Sequence, residues 1–384
     1  MDETERTVVA IVGAGVAGLS LGNILLRNGI PCIVVEKHSR HHVERRHRAG
    51  ALDGSAVALL SNWGLTEVVE GQPVGEGGSK GAPLRIDGQE RHWTMGDDGE
   101  VDGVFCPQQV LVRNLIAVFL RDGGDIRFEA DDVDLDPEHG VLHYRDAGGA
   151  TVTIACDHIA GCDGDRGVSK ASLPAGALTT YSYEHGYAWL AMLADVPADP
   201  PAVMAIHSRG FSAQITRGPD KSRFYLQCPL TDGPEQWPDE RAWRELEMRF
   251  GTPLTVRAPF TDKQIVPIRS VVHSPMRYRA LFLLGDAAHI VSPMSAKGMS
   301  LALHDADVFA RAVIQQVRHG DPSLLESYSE TCLRHIWNAQ ISAMWITEVM
   351  HNAGDASHAG EFRKQLARAE LDRMIDGCTM GGVF

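Results

Sequence analysis

The sequence predicts a mixed α/β chain (α+β in part) of two domains: an open parallel sheet wound with helices, an inserted sheet-based domain, and helices at the C-terminal end. Three observations carry this expectation. Near the N-terminus a short apolar strand runs into a glycine-rich turn, a helix and a second apolar strand. From about Tyr181 to Val271 the texture changes to short runs of β-formers. A further apolar strand, Ala280–Leu284, then leads into a long helical tract. The 384 residues are enough for two domains, and 44% hydrophobic with 22% charged residues excludes disorder for the bulk of the chain.

Composition removes several function classes. No apolar run reaches the roughly 18–20 residues of a membrane span. The nearest candidate, Val8–Leu26, is broken by glycines and has an acidic lead-in, which also argues against a secretory signal. With 36 basic and 50 acidic residues the net charge is −14, so neither duplex nucleic acid nor an anionic membrane surface is expected as a partner. Seven cysteines are scattered without a CxxC pair, so neither a disulfide framework nor a zinc ribbon is readable, and a reduced, cytoplasmic chain is expected. The 39 glycines and 19 prolines are spread as turns, with no internal repeat.

The first element is Val8–Val12, a β-branched run suited to a strand buried on both faces. Gly13-Ala14-Gly15-Val16-Ala17-Gly18 follows, then a helix over Leu19–Arg27 and a second strand, Cys32–Val35, ending on Glu36. Gly13 permits a tight turn, Gly15 lets backbone N–H groups reach a pyrophosphate, and Gly18 lets the helix pack close to the sheet. The helix N-terminus favours the phosphate charge, and Glu36 lies where a carboxylate accepts from ribose hydroxyls. This is a dinucleotide site; the motif alone does not separate NAD from FAD.

Lys37–Arg48 (KHSRHHVERRHR) follows directly. His38, His41, His42 and His47 have no cysteine or paired carboxylate to complete a metal site, and none is expected. Arginines just past the acid can neutralise dinucleotide phosphates, which points to Arg46 and Arg48. Ala49-Gly50 reads as a turn into a helix over Ser55–Trp63.

Gln108–Asp122 has helical spacing, and Asp125–Glu129 reads as a strand. A meander over 131–160 includes strands at Val141–Arg145 and Val152–Ile154, then runs through Ile159 to Cys162-Asp163-Gly164. Taken alone, Asp163 reads as a helix cap or turn residue. In the second domain Val203–Ile206, Gly210–Ile215 and Arg223–Leu230 read as strands and Trp237–Phe250 as a helix. Ala280–Leu284 then delivers Gly285-Asp286, and Ser292–Ser300 leads into helices over Leu301–Val317, Leu324–Met350 and His358–Ile375. Asp286 can accept from a sugar hydroxyl, while Gly298 and the head of its helix form an anion-friendly end.

Together, GAGVAG with Glu36, RAG at Arg48–Gly50, Cys162-Asp163-Gly164, RGF at Arg209–Phe211, QCPLTD at Gln227–Asp232 and the segment from Gly285 to Gly298 resemble the single-component (group A) FAD-dependent aromatic hydroxylases, and within them the para-hydroxybenzoate branch. The resemblance runs from Val8 to about Asp376. It implies a Rossmann-like FAD-binding domain of residues 1–74, 106–178 and 270–345, a substrate domain of 75–105 and 179–269, and a C-terminal helical segment of 346–384. It implies Gly13, Gly15 and Gly18 on the FAD pyrophosphate, Glu36 on the ribose, and Arg46 and Arg48 on the phosphates. Gln108 and Asp286 would meet the ribityl chain, Asp163 would lie near the phosphates, and Pro293, Gly298 and Met299 would face the flavin ring. Arg223 matches the arginine that helps the flavin swing between buried and reducible positions. Arg166 and Arg269 lie where the family binds NADPH, and a histidine at the Arg166 position in the family leaves NADPH or NADH open here. The implied chemistry is oxygen transfer from a flavin C4a-hydroperoxide, formed with O2 and NAD(P)H, to an aromatic ring, in a homodimer.

The substrate residues match only in part. Arg217 and Tyr225 match the family's carboxylate-binding pair, a charge-assisted clamp for an aromatic acid. The family's pocket serine is Ile215 here, and its hydroxyl-contacting tyrosine is Met204. Its second relay tyrosine falls past Phe384, and Gly75–Gly81 gives no clear position for its relay histidine. An amino- or hydroxy-substituted benzoate that is already activated is therefore expected, with poor use of 4-hydroxybenzoate. The same fold could run N-oxidation, epoxidation or oxidative decarboxylation. A flavin-fold binding module and a plain NAD dehydrogenase are the other readings; the Asp286 segment disfavours the first, and the lack of a catalytic His or Lys–Tyr set the second.

Overall fold

The computed structural model describes residues 4–46, 50–73, 83–91 and 103–376. The chain forms two compact units, one of Met1–Pro73, Asp102–Ser182 and Ser270–Ile341, the other of Val74–Val101, Tyr183–Arg269 and Ser342–Phe384. The helices from Ser342 onward group with the second unit.

In the first unit five strands run parallel in the order Leu281–Leu283, Thr151–Gly161, Thr4–Val12, Cys32–Val35 and Asp125–Arg127. Val9, Ala10, Ile11 and Val34 have no exposed surface, as expected of strands covered on both faces. The helix Val16–Arg27 crosses between the first two sequential strands and packs on the helix Gly298–His319. Asp131–Asp136 and Val141–Arg145 add an antiparallel extension. Val152–Ile154 and Ile159–Gly161, expected as separate pieces, are one strand, because Ala155 and Cys156 continue the register opposite Arg6 and Thr7.

The second unit is built on a sheet in the order Phe260–Ser274, Thr179–Ala194, Lys221–Pro229, Gly210–Gly218, Ala202–His207, Leu84–Ile86 and Gln89–Arg91. The first two strands also supply residues to the other unit at their ends. One sheet face carries Ala188, Leu190, Met192, Phe224 and Leu226 into a core closed by Trp243, Leu246 and Phe250 of the helix Asp239–Phe250. That helix starts at Asp239 rather than Trp237, because Pro238 holds its entry in an extended conformation, and it ends on Gly251 at φ +68°.

Two helical expectations change. Leu324–Met350 is not one helix but two, Ser323–Glu326 and Tyr328–Asn352, and the Ser327 hydroxyl at the break donates back to the Ser323 carbonyl at 3.0 Å. Part of the basic stretch, Arg40–Arg45, is a short helix capped by Ser39, whose hydroxyl accepts from the His42 N–H at 3.3 Å. Arg48, His47, Ala49 and Gly75–Gly81 lie outside the described residues. Among the described residues no helix is long and apolar enough to cross a membrane, and the six cysteines are buried and free.

Candidate active site

The glycine turn of the first unit is shaped by contacts that leave no room for side chains. Gly13 sits at φ +104°, and a Cβ there would lie 2.6 Å from the Cys162 carbonyl. A Cβ on Gly18 would lie 2.1 Å from the Gly13 carbonyl. Gly15 differs: the nearest atom to its added Cβ is 4.0 Å away, so its missing side chain leaves open space in front of the helix. Gly15 is also the N-cap, with no side chain consuming the first N–H groups, which suits an incoming phosphate.

Glu36 is buried at the strand end. It accepts from the Ala14 N–H at 2.8 Å and the His38 N–H at 2.9 Å, one on each carboxylate oxygen. A carboxylate has about four acceptor sites, so lone pairs remain for a ribose hydroxyl. Arg46 is exposed just past the Arg40–Arg45 helix. Gln108 is half-buried as the first residue of its helix, and Gly50 packs so closely there that a Cβ would meet the Cys106 carbonyl at 2.0 Å.

Asp163 follows the strand Thr151–Gly161 and accepts from the Ser169 N–H at 2.8 Å in the short helix Val168–Ala171, whose N-cap is Gly167. Burial raises its carboxyl pKa, against the pull of the Ser169 bonds. Arg166 is exposed in the loop between them.

The Gly285–Ala287 turn presents a half-buried Asp286. Next, Pro293 is exposed, Ala296 turns the chain at φ +53°, and Gly298 and buried Met299 open the helix Gly298–His319. Lys297 is tied to Asp53 at 2.7 Å. Burial opposes ionisation of Asp53, but Lys297, Ser55 and the Ala56 N–H hold its pKa down to about 2. That tie was not readable from the sequence, because the partners are 244 positions apart.

In the second unit the cross-strand register does the assembly. Met204 pairs with Ala213, Ala213 with Tyr225, and Ile215 with Arg223. Side chains alternate along a strand, so Met204, Ile215, Arg223 and Tyr225 share the sheet face opposite the helix-packed core; the register shifts between Thr216 and Gly218, and it is the bond to Tyr225 that puts Arg217 on the same face. Arg217 donates to the Thr216 carbonyl at 3.2 Å and to the Tyr225 hydroxyl at 3.4 Å. Among the described residues no carboxylate pairs with it, whereas buried Arg223 holds Asp262 at 3.0 Å and buried Arg249 faces Glu245. Arg269 is half-buried at the end of this unit.

The same face carries residues the sequence reading missed. Trp189 donates through its indole N–H to His351 Nε2 at 2.7 Å, and His351 Nδ1 faces the Thr347 carbonyl at 2.7 Å. The Trp189 ring centroid is 4.9 Å from that of Tyr225 and 5.6 Å from that of Phe211. His351 is buried, and burial pulls its pKa down to about 3, so it is a neutral acceptor. No local pattern signalled this pair, since 162 positions separate its members.

A parallel sheet with a glycine turn against an uncapped helix and an acid at the second strand end define a dinucleotide-binding fold. Comparison with known proteins agrees: residues 6–342 match the FAD binding domain family, and the chain belongs to it. It is 35% identical to a p-hydroxybenzoate hydroxylase of Acinetobacter baylyi over 99% of this chain and 94% of the relative. It is 26% identical to a probable NADH-specific resorcinol 4-hydroxylase of Rhodococcus jostii, over 85% of this chain and 62% of that protein. The fold is also that of p-nitrophenol 4-monooxygenase from Pseudomonas putida, with a TM-score of 0.80 and 17% identity, covering 96% of this chain and 94% of that one. The protein is an FAD-dependent aromatic monooxygenase that uses NAD(P)H and O2.

Proposed function

We propose that this enzyme hydroxylates an amino- or hydroxy-substituted benzoate, or a related aromatic acid whose ring is already activated. The observation that carries the reading is Arg217: a half-buried guanidinium on a sheet face, hydrogen-bonded to Tyr225, with no carboxylate of the described chain against it. A guanidinium so placed is ready for a planar carboxylate. The Acinetobacter relative, by its name, acts on such an acid. Met204 and Ile215 are apolar and can neither donate nor relay a proton, so a substrate needing its para-hydroxyl deprotonated by the protein is disfavoured. The ring must bring its own electron density, as an amino group or second oxygen would supply.

The chemistry that FAD would supply when bound is hydride acceptance from NAD(P)H and activation of O2 for transfer to the ring. The chain's contribution is positional. Gly13, Gly15 and Gly18 with the helix head hold the pyrophosphate, Glu36 the ribose, and Arg46 and Arg48 the phosphate charge. Gln108 and Asp286 hold the ribityl chain, and Asp163 lies near the phosphates. Pro293, Gly298 and Met299 line the ring. Arg223 would help control the placement of the flavin ring, and Arg166 and Arg269 would take the nicotinamide nucleotide. In this reading the assembly is a homodimer in the cytoplasm, a compartment supported by scattered cysteines without a CxxC pair.

The test is NADPH and NADH oxidation by the purified yellow protein against a panel of aromatic acids, with product mass measured under labelled O2. One acid is expected to raise the rate sharply and gain one labelled oxygen on a ring carbon, while 4-hydroxybenzoate turns over slowly. Fast, coupled hydroxylation of 4-hydroxybenzoate would overturn the substrate assignment. A labelled oxygen on nitrogen, an epoxide or loss of CO2 would favour the other reactions open to this fold.

A further inference from the structure

Among the described residues one carboxylate does unusual work without any place in the site described above. Asp305 lies on the Gly298–His319 helix within a buried stripe of Leu301, Ala302, Ala306 and Phe309, and it has no exposed surface. Its Oδ2 accepts from the Gly285 N–H at 2.9 Å and faces His289 Nε2 at 2.7 Å, which as the donor partner of a carboxylate carries the proton. Those two groups are the ends of the turn that presents Asp286. Burial works against a charge on His289, but Asp305, and more weakly Asp286, raise its pKa above the ordinary histidine range.

The turn is also held by backbone bonds, from the Ala288 N–H to the Gly285 carbonyl at 2.8 Å and from the His273 N–H to the Ala288 carbonyl at 2.9 Å, but neither ties it to the Gly298–His319 helix. Gly285 sits at φ +60°, and a Cβ there would lie 3.2 Å from Ala302 and 3.5 Å from Ala17, so the turn is wedged against two helices with no side chain of its own at that point. The helix that holds Asp305 also supplies Gly298 and Met299 at its head. His304 and Cys332 lie beside Asp305, with ligand atoms within 4.8 Å of one another, while Asp305 Oδ2 is the oxygen that serves the turn.

We infer that Asp305 is a positioning residue for the cofactor: its buried carboxylate clamps both ends of the Gly285–His289 turn, sets Asp286 and fixes that turn to the helix whose head lines the flavin ring. The inference rests on the reading that Asp286 holds the ribityl chain, and it is independent of which aromatic acid is the substrate. Removing the clamp should weaken FAD through Asp286 and not through general loss of fold.

A double-mutant cycle separates these. FAD dissociation from the diluted holoenzyme is followed by the recovery of flavin fluorescence, for wild type, Asp305→Asn, Asp286→Ala and the double variant, with circular dichroism alongside. Asp305→Asn is expected to raise the FAD Kd roughly 10- to 100-fold, consistent with weakened bonds to a buried charged acceptor, and to raise it less than about threefold in the Asp286→Ala background. An equal factor in both backgrounds, or less than about threefold in wild type, would overturn the inference. If Asp305→Asn does not fold, His289→Gln removes one contact, and the same non-additivity with Asp286→Ala is required. If Asp286→Ala alone leaves the Kd unchanged, the ribityl reading fails first, and the inference with it. Failure of every aromatic acid to stimulate turnover would instead count only against the substrate proposal.

Discussion

The glycine turn of the first unit and the arginine-bearing sheet face of the second both present hydrogen-bond donors, by opposite means. The turn uses backbone. Gly13 and Gly18 press against carbonyl oxygens at distances no Cβ tolerates, Gly15 keeps a space open, and no side chain caps the N–H groups at the helix head. The sheet face uses side chains: Arg217 and Tyr225 project from neighbouring strands, whose register shifts between Thr216 and Gly218. A backbone site is thus fixed once the fold forms, while a face of a sheet can change its chemistry residue by residue. Met204 and Ile215 stand where the resembling family has tyrosine and serine, and the strands carrying them still pair in register.

The largest expected effect comes from attacking the backbone site. Gly18→Ala places a Cβ about 2 Å from the Gly13 carbonyl, and FAD affinity should fall more than roughly 100-fold, giving a colourless purified protein. Retained yellow colour at ordinary FAD concentration would mean the turn is not the rigid partner in this comparison.

On the sheet face, Arg217→Ala should lower kcat/KM for the aromatic acid roughly 10- to 100-fold, mostly through KM, with FAD affinity unchanged. Lysine at this position should recover only part, since it lacks the planar fork. An unchanged KM would remove the carboxylate clamp.

The His351–Trp189 pair offers a subtler probe of how the face is held. The folded-state pKa of His351, about 3, lies below its unfolded value near 6.5, so below pH 6.5 the unfolded chain binds more protons and stability falls as pH falls. From pH 7 to pH 5 this group should cost about 2 kcal/mol, read as a drop in the urea midpoint. His351→Gln should flatten that slope; an equally steep slope would assign the acid sensitivity to other groups.

The smallest effect expected is from Met204→Tyr. Adding the hydroxyl should raise 4-hydroxybenzoate turnover only several-fold, because one hydroxyl beside the apolar Ile215 does not by itself carry a proton away. A gain of orders of magnitude would show that this one side chain set the substrate choice.

Much of the first unit was legible because its signals are local. Val8–Val12, the glycines and Glu36 fall within thirty residues, and each has a backbone reason to be what it is. The resemblance extended this to Asp286 and Gly298. The break at Ser327 was missed, since a serine does not by itself end a helical pattern. Asp305 left a signal that went unread: a carboxylate within an apolar helical stripe demands a buried partner. Trp189 with His351 and Asp53 with Lys297 left none.

By itself, then, the sequence determined that a dinucleotide turn would form, because steric limits on glycine, the strand's β-branched run and the helix N-terminus act within a short stretch of chain. It also supplied Arg217 and Tyr225 within nine residues of each other. Only the tertiary structure decided which residues share one face, that no carboxylate of the described residues pairs with Arg217, and which buried acid bonds the Gly285–His289 turn. These depend on strand register and on contacts between residues up to hundreds of positions apart, and a buried charge or hydrogen bond is satisfied by whatever the fold brings within 3 Å, not by what precedes it in the chain.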